Sequence, residues 1–440
     1  MNGVLDSAAL KMLPAGVRRP DYDVAALQCG IVHLGVGAFH RAHQAVYTEE
    51  AIRQGGGNWG IIGVALRHAA VPDALTRQDN LYTVETLADA PDYRIVAVLR
   101  RAMSATTQRA GVLDVLASPT THIVTLTVTE QGYCLGFNGE LDLTHPDIAA
   151  DLQHPSQPTS AIGWLAAALS ARYETHQTPL TIISCDNLKR NGARLGNAVS
   201  TFLERSQPKA AGWLRQNVRF PQTVVDCIVP AASETSRARV ARVLGVEDAV
   251  PVQREPYSQW VIEKRFAGPR PAWEQAGVQI VADTGDYGRL KLHVLNTCHS
   301  ALAYLGLKRG YSLVREAIAD PELARFLEEM VHTEIAPALR PLQTLEYWKS
   351  VRVRFQNRHI DHRLAQIAQD GAQKLAERVF PLIIANARAG TPIAHLSRIV
   401  SAWLAHSRAP LETALDDPNL FPPGIRMSDV ARAAITASAP

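Results

Sequence analysis

The stretch Lys291-Leu-His-Val-Leu-Asn296-Thr-Cys-His299-Ser places three polar side chains in an otherwise apolar segment. On a helix at about 100° per residue, Lys291, Asn296 and His299 fall within roughly 140° of arc. Leu292, Leu295 and Ala303 share that arc, and Val294, Ala301, Leu302 and Leu305 cover much of the remainder, so the helix is expected to be buried. Polar groups there must find partners or border a polar cavity. Burial disfavours the ammonium form, which suits Lys291 to proton transfer near neutral pH. Asn296 and His299 can donate hydrogen bonds to a developing alkoxide or to a carbonyl oxygen. A lysine that snorkels to solvent and a satisfied core histidine fit the same spacing.

Four further constellations carry chemistry. Ser184-Cys-Asp-Asn187 follows the apolar run Leu180–Ser184, and ligands sit at such strand ends in open α/β sheets. Propensity alone favours Asp186-Asn187 as a helix N-cap. Asp226 ends the β-branched run Val224-Val225. Glu130, in Thr127-Val-Thr-Glu130-Gln-Gly-Tyr133, ends another and reads equally as a solvated loop acid. Gln366 and Lys374 lie in a helical stretch where a lysine is ordinarily exposed. His40 and His43 are spaced for one helix face, but no nearby acid or thiol completes a metal site, so no metal is expected. No phosphate-loop, nucleophile-elbow or His-Glu-x-x-His motif is present.

These residues need a frame. Ile31-Val-His-Leu34 runs into Gly35-Val-Gly37 and then a helix-forming stretch, the strand, turn and helix that hold a dinucleotide. Gly35 allows the turn; Gly37, with Ala38 and Phe39 after it, lets backbone N–H groups reach a pyrophosphate. The usual third glycine is His40, and Gly-x-Gly also occurs in ordinary turns. Candidate strands are Gly30–Leu34, Trp59–Leu66, Ile95–Leu99, Ile123–Val128 and Leu180–Ser184, alternating with helical segments such as Ala45–Arg53 and Ser160–Glu174. That alternation predicts a doubly wound, mostly parallel sheet. Phe266 to Gly277 reads as a loop before Val278–Ala282, and Pro422-Pro423 as a turn. From Lys291 onward β-branched runs nearly vanish. The expected domains are therefore 1–284, α/β, and 285–440, all-helical.

Composition agrees with a globular enzyme. The 440 residues are 47% hydrophobic and 20% charged, with a net charge of only +3, which favours neither nucleic acid nor a membrane surface as partner. Five scattered cysteines with no Cys-x-x-Cys argue for a reducing compartment without a disulfide framework or structural zinc. With neither a signal-peptide pattern nor an apolar membrane span, the expected location is the cytoplasm.

The string Gly-Val-Gly-Ala-Phe-His-Arg-Ala-His-Gln-Ala from Gly35 resembles the long-chain mannitol dehydrogenase family, which includes mannitol 2-dehydrogenases and fructuronate reductases (D-mannonate oxidoreductases). Five motifs from about residue 28 to 405 follow the family order. The resemblance implies a Rossmann-like N-terminal domain, a helical C-terminal domain and metal-independent hydride transfer with a secondary alcohol. It assigns Lys291 as acid/base, Asn296 and His299 to the reacting oxygen, and Asn187 beside nicotinamide and substrate. Asp226, Glu130, Gln366 and Lys374 become substrate-facing. Cys227 and His293 stand where the family often has arginine, and Gly288 where it often has glutamate. Thr129–Cys134, Leu141–Asp147, Ser160–Gly163 and Gln373–Leu375 are closer to the fructuronate reductases, so a sugar acid is expected, with a cation such as Lys374 or Arg378 for its carboxylate. A polyol such as mannitol is the alternative, and a catalytically silent sugar or dinucleotide sensor a second. After the second strand the chain reads Leu66-Arg67 with no acid until Asp73, which alone leans toward NADP. The sugar-acid branch has a similar Leu-Arg ending and uses NAD, so NAD is expected.

Overall fold

The computed structural model describes residues 3–136 and 138–407; the expected turn at Pro422-Pro423 lies outside them. The chain forms two compact units, the first ending at Thr284 and the second beginning at Gly285.

Six strands make the central sheet of the first unit. They are β1 (Cys29–Leu34), β2 (Gly60–Ala65), β3 (Leu99–Ser104), β4 (Ile123–Leu126), β5 (Leu180–Ser184) and β6 (Val218–Arg219). All pairings are parallel, in the order β3-β2-β1-β4-β5-β6. This is the doubly wound dinucleotide-binding order, whose direction of growth reverses between β1 and β4. Buried on both faces, these strands are nearly continuous apolar runs, which made four of them readable.

The expected strand Ile95–Leu99 needs correction. Asp92–Val96 belongs to a second sheet, antiparallel to Tyr82–Thr86, and Leu99 opens β3. The run Ile-Val-Ala-Val-Leu is buried throughout, so its hydrophobicity does not mark the passage between sheets. The expected strand Ile123–Val128 stops at Leu126, because the Val128 and Thr129 N–H groups donate to the Asp186 carboxylate. A third sheet contains Thr223–Asp226, Gln259–Glu263 and Gln279–Val281.

Around the first unit, α1 (Ala38–Ala42) and α2 (Gln44–Gly55) follow β1, separated by a kink at His43. Helix α3 (Ala161–Thr175) is capped by the Ser160 hydroxyl, which accepts from the Gly163 N–H at 2.9 Å. The expected loop 266–277 holds a short 3-10 turn, Trp273–Ala276, whose buried Trp273 indole N–H donates to Thr48 Oγ1 at 3.1 Å.

The second unit contains no extended strand among its described residues. Leu302, Leu327, Trp348, Leu364, Ile383 and Ile399 lie in its core, and burying each such side chain contributes about 1.5–3 kcal/mol before entropy is counted. Helix α4 (Gly285–Leu290) passes into a π-helical segment, Lys291–Asn296, and continues as α5 (Thr297–Lys308). Helix α6 (Gly371–Arg378) starts hard against α5: a Cβ on Gly371 would lie 2.4 Å from Tyr304 Oη and 2.5 Å from Trp403 Nε1. In the final described helix, α7 (Ala394–Ser407), the N–H groups of His395 and Leu396 donate to the buried Glu334 carboxylate.

Candidate active site

At the end of β1, Gly35 has φ of +98°, and a Cβ there would lie 2.0 Å from the Thr127 carbonyl oxygen at the end of β4. Only glycine closes the turn against that neighbour. Gly37 differs: its φ is −76°, and the atom nearest to where a Cβ would stand is Gly35 O at 3.8 Å. The chain's own packing does not require a glycine here, and the space beside the start of α1 is open. Ala38 and Phe39 open that helix and are partly exposed, and Arg67 lies exposed two residues beyond β2. Together these residues fit a dinucleotide at the strand ends.

His40 is fully buried, and its ring stacks on that of His33 from β1, with centroids 3.4 Å apart and planes 12° apart. His33 Nε2 donates to Gly35 O at 3.0 Å, so Nδ1 accepts from the Thr125 hydroxyl at 2.7 Å. Burial pushes His33 down to about 3 and His40 well below the ordinary histidine value, so both rings are neutral. The sequence places His40 at the missing third glycine and pairs it with His43; its partner in the structure is His33.

Beyond β5, Asp186 caps no helix. The next one, Asn191–Ser206, has Arg190 at its N-cap and no side-chain cap. Besides the two N–H groups of residues 128 and 129, Asp186 accepts from Tyr133 Oη at 2.7 Å. Burial raises its carboxyl above the usual range, opposed by those donors. Asp186 thereby ties the loop carrying Glu130 to the strand end carrying Asn187, and both Glu130 and Asn187 are exposed. Asp226 is buried at the end of its strand, in the separate three-stranded sheet.

Lys291 begins the π-segment and Asn296 ends it; His299 follows in α5. The expectation of a regular α-helix is corrected here. Bonding from i to i+5 widens the turn, so positions five apart lie nearer one face than in an α-helix. Asn296 and His299 are buried as expected, but Lys291 is only half-buried. His299 Nε2 is buried with no hydrogen-bond partner among the described residues, and its ring packs on Phe355 at 4.5 Å and edge-on to His362 at 5.0 Å. Burial, then His362 and Arg354, holds His299 well below the ordinary histidine value; it is a neutral donor or acceptor. Of the departures from the family pattern, His293 has a partner in the Arg378 carbonyl at 3.1 Å.

In α6 Lys374 is half-buried rather than exposed, and its Nζ donates to Ile367 O at 3.3 Å; Gln366 is exposed. Leu141–Asp147 and Ser160–Gly163 are structural: Asp142 accepts from Thr144, and Ser160 caps α3. One trio, Cys134, His145 and Asp147, has donor atoms within 4.8 Å of one another. His145 Nδ1 already accepts from the Asp147 N–H, and burial with nearby acids pushes the Cys134 thiol up to about 11.

Comparison with known proteins gives the family. Residues 29–275 match the mannitol dehydrogenase Rossmann domain and residues 283–419 the mannitol dehydrogenase C-terminal domain. The chain is 38% identical to the D-mannonate oxidoreductase of Escherichia coli (strain K12), over 89% of this chain and 82% of that protein. It is 37% identical to a mannitol 2-dehydrogenase of Phaeosphaeria nodorum, over 94% and 75%. The solved ternary complex of Pseudomonas fluorescens mannitol 2-dehydrogenase with NAD and D-mannitol superposes with a TM-score of 0.90 at 32% identity, covering 99% of this chain and 96% of that one. No described helix is long and apolar enough to cross a membrane.

Proposed function

We propose, because the chain belongs to the mannitol dehydrogenase family of oxidoreductases, that it transfers hydride reversibly between NAD and a secondary alcohol of an open-chain sugar acid of the fructuronate/mannonate type. The observation that carries the reading is the Lys291, Asn296 and His299 set on one π-to-α segment, with His299 Nε2 buried and without a hydrogen-bond partner among the described residues. NAD, held by Gly35, Gly37, Ala38 and Phe39 with Arg67 at the second strand end, supplies the hydride chemistry. Asn296 and His299 hydrogen-bond the reacting oxygen, Lys291 takes its proton on oxidation and returns it on reduction, and Asn187 orients the substrate. Asp226, Glu130 and Gln366 contact the remaining hydroxyls.

Lys374 supports the sugar-acid assignment. A half-buried ammonium is better matched by a carboxylate, through a charge-assisted bond, than by a hydroxyl. A polyol is the second reading, favoured by the fit to the enzyme whose structure holds mannitol. Following reduced cofactor by absorbance with mannonate, fructuronate, mannitol and arabinitol separates them. We expect higher kcat/KM for the sugar acids, with Lys374→Ala lowering only theirs. Faster polyol oxidation, with Lys374→Ala affecting all substrates alike, would replace the assignment. No turnover of any of them would favour the silent sensor. Comparing kcat/KM for NAD and NADP tests the cofactor; a strong NADP preference would mean that Arg67 governs.

A further inference from the structure

The π-segment has an external support. Arg378, the last residue of α6, reaches it through side chain and backbone together. Its Nη1 donates to Asn296 O at 3.4 Å and to Ser300 Oγ at 3.1 Å. Its carbonyl accepts from His293 Nδ1 and from Thr297 Oγ1, both at 3.1 Å. Residues 293, 296, 297 and 300 are thereby tied to one arginine, and they run from within the π-segment into the first turn of α5. A π-segment is rarer and less stable than the α-helix on either side, and its displaced groups need partners from outside the ladder. The other end of α6 is fixed independently: Gly371 presses on Tyr304 and Trp403, and Tyr304 Oη donates to Ala368 O at 3.1 Å.

We propose that Arg378 is a positioning residue, which locks the π-segment and so sets Lys291 and Asn296 in register for the proton transfer. This deepens the function proposed above and rests on it. It also separates the two cations of α6, which lie four residues apart. Lys374 addresses substrate, and Arg378 addresses the catalytic segment rather than a carboxylate.

The test compares Arg378→Met, Arg378→Lys and Ser300→Ala with the wild type, using mannonate and mannitol. Hydrogen exchange is measured in parallel on peptides covering residues 289–303. For Arg378→Met we expect kcat to fall tenfold or more on both substrates with KM changed less than threefold, and faster exchange confined to those peptides. Arg378→Lys retains one donor and should recover part of kcat. Ser300→Ala loses one contact and should lower kcat by a few fold in the same direction. A rise in KM for mannonate alone, with kcat and exchange unchanged, would make Arg378 a carboxylate ligand and overturn the proposal. If the wild type turns over neither substrate, the functional reading fails, and exchange alone decides on the clamp: unchanged protection in Arg378→Met would overturn it.

Discussion

Replacing Lys291 with alanine is expected to lower turnover by on the order of 10²-fold or more, the scale of general acid–base catalysis. Cofactor affinity, read by titrating NADH fluorescence, should hardly move; near-wild-type turnover in a folded variant would remove the assignment. The three polar residues of this segment were legible because they interrupt an apolar run at helical spacing. Arg378 was not legible in the same way. From sequence it offered only a positive charge, which suits a carboxylate, whereas its contacts to Asn296 O and Ser300 Oγ join residues 82 and 78 positions apart in the chain. Asp186 shows the same limit. Local propensity made it a cap, and a loop distant in sequence claims it instead.

At the scale of elements, the two glycines after β1 should separate by mutation. Gly35→Ala combines a positive-φ cost of roughly 1–2 kcal/mol with a collision against backbone that costs on the order of 1–3 kcal/mol more. Chemical denaturation should show a loss of several kcal/mol or no folded protein. Gly37→Ala meets no close neighbour, so stability should change by about 1 kcal/mol or less, while NAD affinity drops sharply. Unchanged NAD affinity would detach the turn from the cofactor. The central strands could be read because a parallel sheet covered on both faces is apolar along its length. The second sheet could not: Tyr82–Thr86 and Asp92–Val96 carry Thr83, Glu85 and Arg94, and besides their pairing with each other they are held by Val252–Arg254 and Val17–Arg18, far away in the chain. The π-segment was invisible for a related reason, since period analysis presumes the α-helical turn.

For the whole molecule, buried histidines set the response to acid. His362 is held down to about 4 by burial and Arg354, and His33, His40 and His299 are also depressed. Below the ordinary value of about 6.5 the unfolded chain binds protons that the folded chain does not, so stability falls as pH falls from there through about 4. His362 alone accounts for at most on the order of 3 kcal/mol. Glu49 acts with the opposite sign. Burial raises its carboxyl to about 7, against bonds from the Ala97 N–H and Tyr22 Oη, so its contribution is full below about 4.5 and is lost as pH rises through about 7. Urea midpoints between pH 7 and 4.5 should therefore decline, and decline more steeply in Glu49→Gln; a flat profile in both would contradict the neutral buried rings. Prolonged chelation should leave turnover unchanged, since the proposed proton carrier is an amine. Activity lost to chelator and restored by zinc would require another mechanism.

The stack of His33 on His40 bears on how this fold varies between relatives. Where a third glycine lets helix and strand backbones approach, this chain inserts two aromatic rings and breaks the helix at His43. The two positions then form one unit of inheritance. Exchanging either ring alone leaves an imidazole-sized void beneath the turn, whereas exchanging both can rebuild the contact. Lineages that drift at position 33 should drift at position 40 with it, and a search keyed to three glycines will pass over a chain that holds its turn by a pair of rings.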